Sequence, residues 1–285
     1  MKGIVNLYKP RGWTSRDAVN KVRNLLGVRD VGHMGTLDPQ GEGVLLIGVG
    51  KATRLFDAFL KKDKVYEADF TFGYETDTLD GEGKTVKTTE NIPDGSALKN
   101  AIAAFKGKIM QLPPDYSAKS VGGVRAYKLA REGKKFTLAP APVEIFSVEI
   151  TDKQAENRYR FRIHCSAGTY IRSLCRDIAY SVSSLATMTY IKRMRAGRFD
   201  VKDSVTVEEV AALKEKAIIP LEEALSDFPR FVLDDKDYIK LINGVKLPVG
   251  DVPKAPFTVF CKGELFGLGE KSEDGILKIK TYLRD

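Results

Sequence analysis

The sequence predicts an α+β protein in which a mixed, largely antiparallel sheet is flanked by helices and followed by a small β-rich C-terminal domain. Two patterns support this class: segments that alternate apolar and polar residues, as half-buried strands do, are interspersed with segments whose apolar residues recur at helical spacing. A third is a run of short strand-like segments after residue 229, separated by the turn dipeptides Asn243-Gly244, Lys262-Gly263 and Asp274-Gly275. We therefore expect a large domain over residues 1–228 and a small one over residues 229–285.

The first elements of the large domain are a strand, a helix and two further strands. Residues 3–8 are strand-like, and Ser15 is placed to cap a helix that Gly27 ends. Residues 44–49 are continuously apolar, as in a buried strand, and residues 65–72 alternate as in a half-buried one. A sheet with both buried and half-exposed strands is expected from these segments.

The middle of the chain continues the same alternation of element types. The expected elements are a turn-rich loop at residues 73–84, a short amphipathic helix at 96–105, and strands at 143–150, 158–165 and 185–195. The two strands at 143–150 and 158–165 are joined by a polar turn, which favours a hairpin.

A helix is predicted from about residue 171 to 182, and Arg172 lies near its start, off the expected buried stripe. The helix macrodipole disfavours a cation at that end, so the placement of Arg172 indicates a local anionic partner. Thr206 and Glu209 form a capping box that opens a further helix, and residues 220–229 have the composition of a linker.

The charge of the chain favours a polyanionic partner. Lysine and arginine outnumber the acids 46 to 38, for a net charge of +8 and a pI near 9.2. Residues 158–195 carry eight basic residues against one acid, and residues 119–135 carry six against one. Two basic surfaces are therefore predicted.

Several chemistries find no support in the residue patterns. No window matches a phosphate-binding P-loop, an EF-hand, a zinc-ligand set or a serine nucleophile elbow. Three widely spaced cysteines form no disulfide framework, and no apolar run reaches the ~18 residues of a membrane span. We expect a metal-free protein of the cytoplasm without a membrane anchor.

Asp38 is the candidate nucleophile. It lies in the loop GHMGTLDPQGEG, where Pro39 disfavours the helical conformation for Asp38, so that its carboxylate is presented rather than placed in a helix. The structural alternative is an ordinary Asp-Pro turn. A carboxylate nucleophile is already ionised and needs only a cation to hold it, which makes Asp38 and Arg172 a pair to test.

Longer motifs resemble those of one family. The segments GHMGTLDPQGEGVLLIGVGKATR, KVYEADFTFGYETDTLDGEG, PPDYSA, RAYKLAREG and SAGTYIRSL are similar to the TruB family of tRNA pseudouridine synthases, and they occur in the family's order. The resemblance implies the pseudouridine synthase fold and conversion of uridine 55 in the T-loop of transfer RNA, by base flipping, cleavage of the glycosidic bond and rejoining through carbon 5.

The resemblance also implies roles for five residues. Asp38 matches the catalytic aspartate, Arg172 the arginine that pairs with it, and Tyr66 the aromatic residue that stacks on the target base. His33 matches the histidine that meets the T-loop where the base has left, and Ile191 the apolar residue beside the base. Without the resemblance, Tyr66 would be interpreted as core and His33 as a residue that stabilises its own loop.

Two further regions carry implied roles. Residues 115–140 resemble the family's RNA-binding thumb, although Ser120 stands where the family usually has lysine, and the C-terminal domain loosely resembles a PUA domain. No cofactor and no metal is implied, the partner is the T-arm of transfer RNA, and the chain is expected to act as a monomer without an obligatory protein partner.

Two other functions remain open on the sequence. One is a non-catalytic protein that binds or folds transfer RNA through the thumb and the C-terminal domain. The other is the same chemistry on another RNA within a guide-RNA particle, which requires protein partners.

Overall fold

A nine-stranded mixed sheet forms the centre of the molecule in the computed structural model, which describes residues 1–284. Asp285, the last residue of the predicted C-terminal domain, lies outside the described residues. Strands of the main sheet follow the order β1-β3-β12-β4-β11-β10-β7, with β2 paired to β3 and β13 to β12, and a separate four-stranded sheet follows near the C-terminus. The predicted fold class is confirmed.

The strands are β1 (Gly3–Lys9), β2 (Val31–His33), β3 (Glu42–Val49), β4 (Lys64–Phe72), β5 (Tyr74–Thr76), β6 (Thr85–Thr88), β7 (Gly107–Gln111), β8 (Ser120–Val121), β9 (Val124–Arg125), β10 (Ala141–Ala155), β11 (Arg158–Cys165), β12 (Ala186–Ala196), β13 (Phe199–Asp200), β14 (Arg230–Leu233), β15 (Phe257–Cys261), β16 (Glu264–Lys271) and β17 (Leu277–Tyr282). The α-helices are α1 (Ser15–Leu26), α2 (Phe56–Leu60), α3 (Gly95–Ala103), α4 (Ala126–Arg131), α5 (Ile171–Ser181), α6 (Val207–Leu213), α7 (Leu221–Ala224) and α8 (Tyr238–Ile242). None of the helices in residues 1–284 has the length and apolar character to cross a membrane.

Helix α1 is capped at both ends, and its first residue contacts the loop that contains Asp38. Thr14, not Ser15, is its N-cap, and the Thr14 side chain accepts from the backbone of Asp17 while the Asp17 carboxylate accepts from the backbone of Thr14. The Ser15 hydroxyl instead donates to the carbonyl of Leu37 and accepts from its N–H, both at 2.9 Å. Gly27 ends the helix in the left-handed conformation as predicted.

The alternation predicted for the central strands is confirmed. In β4 and β11 the apolar residues share one face and pack with α3 and α5, as the stacked pair Phe70 and Phe161 illustrates with ring centroids 4.4 Å apart. A second group of buried residues fills the space between β1, β3 and α1. Tyr66 is packed against both groups, so it lies where the two cores meet.

The junction between the two cores is narrow. Strands β3 and β12 pair in parallel through only Lys192 with Glu42 and Arg193 with Gly43, whereas β12 pairs antiparallel with β4 over nearly its whole length. Gly43 has φ +97, and a Cβ at this position would lie 2.4 Å from the carbonyl oxygen of Arg193. The absence of a side chain at Gly43 is therefore required for the two strands to meet.

Three sequence predictions were wrong in detail. Residues 220–229 are not a linker, because α7 lies there and Leu221 and Phe228 are buried in the core. Residues 73–84 are not only a loop, because Tyr74–Thr76 pairs with Thr85–Thr88. The Asn243-Gly244 dipeptide follows α8 instead of joining two strands, since the five residues before it close into a short helix.

The basic surface predicted over residues 158–195 is also largely wrong. Arg160 makes a two-pronged pair with Asp69, with N···O distances of 2.7 and 2.9 Å, and Arg162 pairs with Glu67 at 3.2 Å. Arg193 is buried. The six basic residues of 119–135, by contrast, are all exposed, so the predicted basic surface is present only in that segment.

Replacing Gly43 with alanine tests the junction. Gly107→Ala is the matched control, because Gly107 also has a positive φ of +100 but a Cβ added there would have no atom within 4 Å. We expect Gly43→Ala to lower the free energy of unfolding by roughly 1–3 kcal/mol more than Gly107→Ala, the added cost of steric overlap. Urea denaturation of the three proteins measures this. Equal losses for the two variants would contradict the steric role of Gly43.

Candidate active site

The Asp38 loop connects β2 to β3 and is fixed by backbone hydrogen bonds on both sides of the carboxylate. Gly12 N–H donates to the carbonyl of Pro39 at 2.8 Å, and Gly41 N–H donates to that of Asp38 at 2.9 Å. The Ser15 hydroxyl holds Leu37, as described above. These contacts leave the Asp38 side chain 39% exposed, so the carboxylate is presented as the sequence predicts.

Arg172 holds this carboxylate. Its Nε lies 3.0 Å from Asp38 Oδ2, and the residue is only 6% exposed. The same guanidinium donates to the carbonyls of Thr78 at 3.0 Å and Tyr116 at 3.1 Å. The anionic partner expected for Arg172 is thus Asp38, but the placement of Arg172 off the buried face was wrong, because the loops that it binds cover the start of α5.

Asp80 is a second acidic residue at this guanidinium, with Oδ2 3.7 Å from Arg172 Nη1. Burial raises the pKa of the Asp80 carboxyl, an effect opposed by the hydroxyl of Thr78 and by Arg172. Asp80 was not among the site residues predicted from the sequence, where residues 73–84 were expected to form a turn-rich loop. The TDTLDG segment within the resemblance was the signal that could have found Asp80.

A pocket of about 180 Å³ opens beside the two carboxylates. Its lining comprises Arg11, Asp38, Gln40, Asp80, Gly81, Glu82, Met188, Thr189, Tyr190 and Ile191. Within this lining Arg11 Nε donates to Gln40 Oε1 at 2.8 Å, and the Gln40 amide donates to Glu82. The pocket therefore brings the predicted residues Asp38 and Ile191 together, with Arg172 held against Asp38, and its volume accommodates one small ring.

Tyr66 and His33 lie near this pocket without lining it. Tyr66 is half-buried, and burial raises the pKa of its hydroxyl against the opposing charge of Arg193. His33 is the last residue of β2 and not part of a free loop, and its Nδ1 is buried without a hydrogen-bond partner. Burial, and secondarily the charge of Arg193, lowers the pKa of His33.

A buried lysine adjoins the same loop. Lys9 donates to the carbonyls of Pro10 at 2.9 Å, Trp13 at 2.6 Å and Pro39 at 3.3 Å, and it is fully buried. Burial, aided by the charge of Arg193, lowers the pKa of Lys9 to about 8. Its contact with Pro39 links the end of β1 directly to the residue after Asp38.

The arrangement is suited to nucleophilic chemistry on a ring. The Asp38 carboxylate is oriented by a buried guanidinium, and the apolar Ile191 is part of the lining of the pocket beside it. Across residues 1–284, no three histidine, cysteine or acidic side chains are grouped so that they could hold a metal ion.

Comparison with known proteins agrees with this geometry. Residues 23–171 match the family model described as the TruB family pseudouridylate synthase (N terminal domain). The chain belongs to the TruB family of pseudouridine synthases. The matched residues include the Asp38 loop, Tyr66, Asp80 and the start of α5.

TruB relatives match over nearly the whole chain. The tRNA pseudouridine synthase B of Clostridium kluyveri is 39% identical over 290 residues, which cover 99% of this chain and 100% of that protein. The tRNA pseudouridine synthase B of Thermosipho melanesiensis is 41% identical over 93% of this chain and 86% of its own length. Both the catalytic and the C-terminal regions are therefore shared with TruB relatives.

Solved structures share the TruB-like fold. A Cbf5-Nop10-Gar1 complex contains a chain with a TM-score of 0.76 and 23% identity, covering 98% of this chain and 84% of that one. An H/ACA RNP bound to a substrate RNA containing 2'-deoxyuridine contains a chain with a TM-score of 0.75 at 23% identity, covering 99% and 85%. At this identity the likeness shows the fold alone.

The depressed pKa of His33 has a consequence for acid stability. Because the pKa of His33 is lower in the folded protein than its ordinary value of 6.5, the contribution of His33 to the free energy of unfolding is complete above pH 6.5. It is lost as the pH falls below that value. We expect the native protein to lose more stability than His33→Asn as the pH falls through this range. Urea denaturation at pH 7.5 and 5.5 measures the difference.

The other histidine, His164, provides the control. The His164→Gln protein should keep the additional acid loss that depends on His33. If the native protein and His33→Asn lose stability equally on acidification, the interpretation of His33 as a buried neutral imidazole is wrong.

Proposed function

We propose that this chain converts uridine 55 in the T-loop of transfer RNA to pseudouridine, with Asp38 as the nucleophile. The observation that carries the proposal is the ion pair between Asp38 and the buried Arg172 at the edge of a ring-sized pocket. Membership in the TruB family supports it, as do the curated names of relatives that match the full chain.

The reaction is an isomerisation, so its atoms balance without an external group. The bond from N1 of uracil to C1′ of the ribose breaks and a bond from C5 to C1′ forms, while C5 loses a proton and N1 gains one. Asp38 attacks during detachment of the base, the bond that it forms breaks again as the product is completed, and Arg172 holds the carboxylate in position. Ile191 lies beside the ring and keeps water from that side of it.

The target uridine lies inside a folded loop and has to be extruded. Extrusion costs a few kcal/mol, which stacking on an aromatic side chain and contacts to phosphates can offset. We assign the stacking to Tyr66, and we assign to His33 the contact with the T-loop at the place that the base has left. Neither residue lines the pocket, so both assignments rest on the family resemblance and not on the pocket lining.

The exposed basic residues of the thumb, residues 115–140, supply the phosphate contacts in this proposal. They lie on the β8–β9 hairpin and around α4, and of these only Lys134 is paired with an acid within residues 1–284. The domain over residues 229–285 is proposed to be PUA-like and to bind RNA as well. The chain is proposed to act in the cytoplasm as a monomer, without a protein partner or a cofactor.

Asp38→Asn tests the nucleophile. The amide keeps the shape of the side chain but removes its charge, so we expect pseudouridine formation in a T-arm stem-loop to fall by at least roughly 10³-fold. RNA affinity should change little, because Asp38 contributes no phosphate contact. Mapping of pseudouridine and filter binding are the two measurements.

The control is Asp30→Asn, an exposed aspartate just before β2, which should keep full activity. Undiminished turnover by Asp38→Asn would exclude Asp38 as the nucleophile. Salt-sensitive binding without product from the native protein would favour the non-catalytic alternative. Activity only with added proteins and a guide RNA would favour the same chemistry on another RNA within a guide-RNA particle.

Neutralising the thumb tests its binding to RNA. We expect the double variant Arg131→Gln and Lys135→Gln to weaken RNA binding and to reduce the salt slope by about 1 for each phosphate that is no longer neutralised, with the rate at saturating RNA unchanged. Lys99→Gln, an exposed lysine of α3, is the control and should leave the slope unchanged. A slope that does not change in the double variant would remove the thumb from the RNA interface.

A further inference from the structure

We propose that Arg193 is a positioning residue for the reaction. Its guanidinium fixes the backbone of the Asp38 loop and holds Tyr66 in a defined position relative to that loop. The inference rests on the proposed function, because it assigns Arg193 to the geometry of the Asp38 carboxylate. On the sequence alone, Arg193 is only one cation of a predicted basic surface.

The contacts of Arg193 are directed at the loop. Nη2 donates to the carbonyl of Thr36 at 2.7 Å and Nη1 to that of Gly35 at 3.4 Å, so both acceptors lie in the three residues before Asp38. The residue is 2% exposed and is among the largest fully buried side chains of residues 1–284. Water therefore does not compete for these donors.

The same guanidinium lies beside Tyr66. Its Cζ is 5.8 Å from the centroid of the Tyr66 ring, and the two residues are register partners across β12 and β4. On its other side Arg193 is the register partner of Gly43 in β3. One side chain therefore spans the junction of the two cores and contacts both the loop with the proposed nucleophile and the proposed stacking residue.

The cost of burying this cation argues for a specific role. Among residues 1–284 no carboxylate lies within 4.0 Å of Arg193, and its Nε has no hydrogen-bond partner. A buried charge without a counter-ion is strongly destabilising. An apolar side chain would fill the space at a lower cost in folding free energy. The presence of an arginine is therefore explained by the loop carbonyls and the Tyr66 ring that its guanidinium holds in place.

Arg172 and Arg193 act on different parts of the same loop. Arg172 holds the carboxylate of Asp38, whereas Arg193 holds the main chain two and three residues earlier. A shift of about 1 Å in a reacting group can cost roughly 10²-fold in rate. Lysine is not an equivalent replacement for Arg193, because its single ammonium cannot reproduce the fixed positions of Nη1 and Nη2 at the two carbonyls together with the planar group beside Tyr66.

The test compares Arg193→Lys and Arg193→Met with a matched control, Arg195→Met. Arg195 is two residues further along β12 and faces the other side of the sheet, where it pairs with Asp63 at 2.7 Å. Its removal also deletes a partly buried arginine from β12, but does not touch the loop. Circular dichroism and thermal melting establish that each variant is folded.

Single-turnover kinetics at saturating T-arm RNA separate a positioning role from a structural one. A misfolded fraction lowers the amplitude of product formation, whereas a displaced carboxylate lowers the rate constant at full amplitude. We expect both Arg193 variants to lose at least about 10-fold in rate constant with RNA affinity and amplitude retained, and Arg195→Met to keep the native rate constant.

Rate constants within about twofold of the native one in folded Arg193 variants would overturn the proposal, and so would equal rate losses in Arg193→Met and Arg195→Met. A loss confined to the amplitude would also overturn it, since Arg193 would then only stabilise the fold. Failure of the proposed function has a different signature, because the native protein itself would then form no product from the T-arm.

Discussion

The buried guanidinium of Arg172 is the constraint on which the site depends. It donates to the Asp38 carboxylate, to the Thr78 carbonyl and to the Tyr116 carbonyl, which belong to three segments far apart in sequence. An arginine can do this because its donors form a rigid fork with several directions. The Asp38 loop, the loop of Asp80 and the start of the thumb segment, residues 115–140, are therefore positioned together by one side chain.

Around this centre the protein uses buried cations where most cores use apolar side chains. Lys9, Lys64 and Arg193 donate mainly to main-chain carbonyls, and burial lowers the pKa of Lys9 and of Lys64 to about 8 in each case. Such contacts fix backbone segments without introducing acids that would repel RNA phosphates. The interior beneath the Asp38 loop is thus positive, which suits a loop that must present a carboxylate to a polyanion.

Local signals in the sequence were sufficient for the elements that depend on them. Gly27 marks the end of α1, and the alternation of residues 158–165 marks β11. Arg193 was missed because its environment is set by register: it lies opposite Tyr66, whereas Arg195 lies opposite Val65, on the other face. A register shift between Arg193 and Arg195 breaks the alternation of side chains between the two faces of the sheet. No pattern in the sequence of the strand reveals this shift. The same holds for Asp69 and Glu67, the acids that pair with Arg160 and Arg162 of β11.

The two-pair contact between β3 and β12 has a further consequence. Asp38 follows β2 on one side of this seam, and Arg172 belongs to α5, which packs with the core on the other side. The 3.0 Å distance between Asp38 and Arg172 therefore depends on how the two halves meet, and neither half sets it alone. A change that widens the boundary separates Asp38 from Arg172 even where each half keeps its own core. Catalytic activity therefore depends on the boundary between the two halves, whereas spectroscopic probes of secondary structure report on each half by itself.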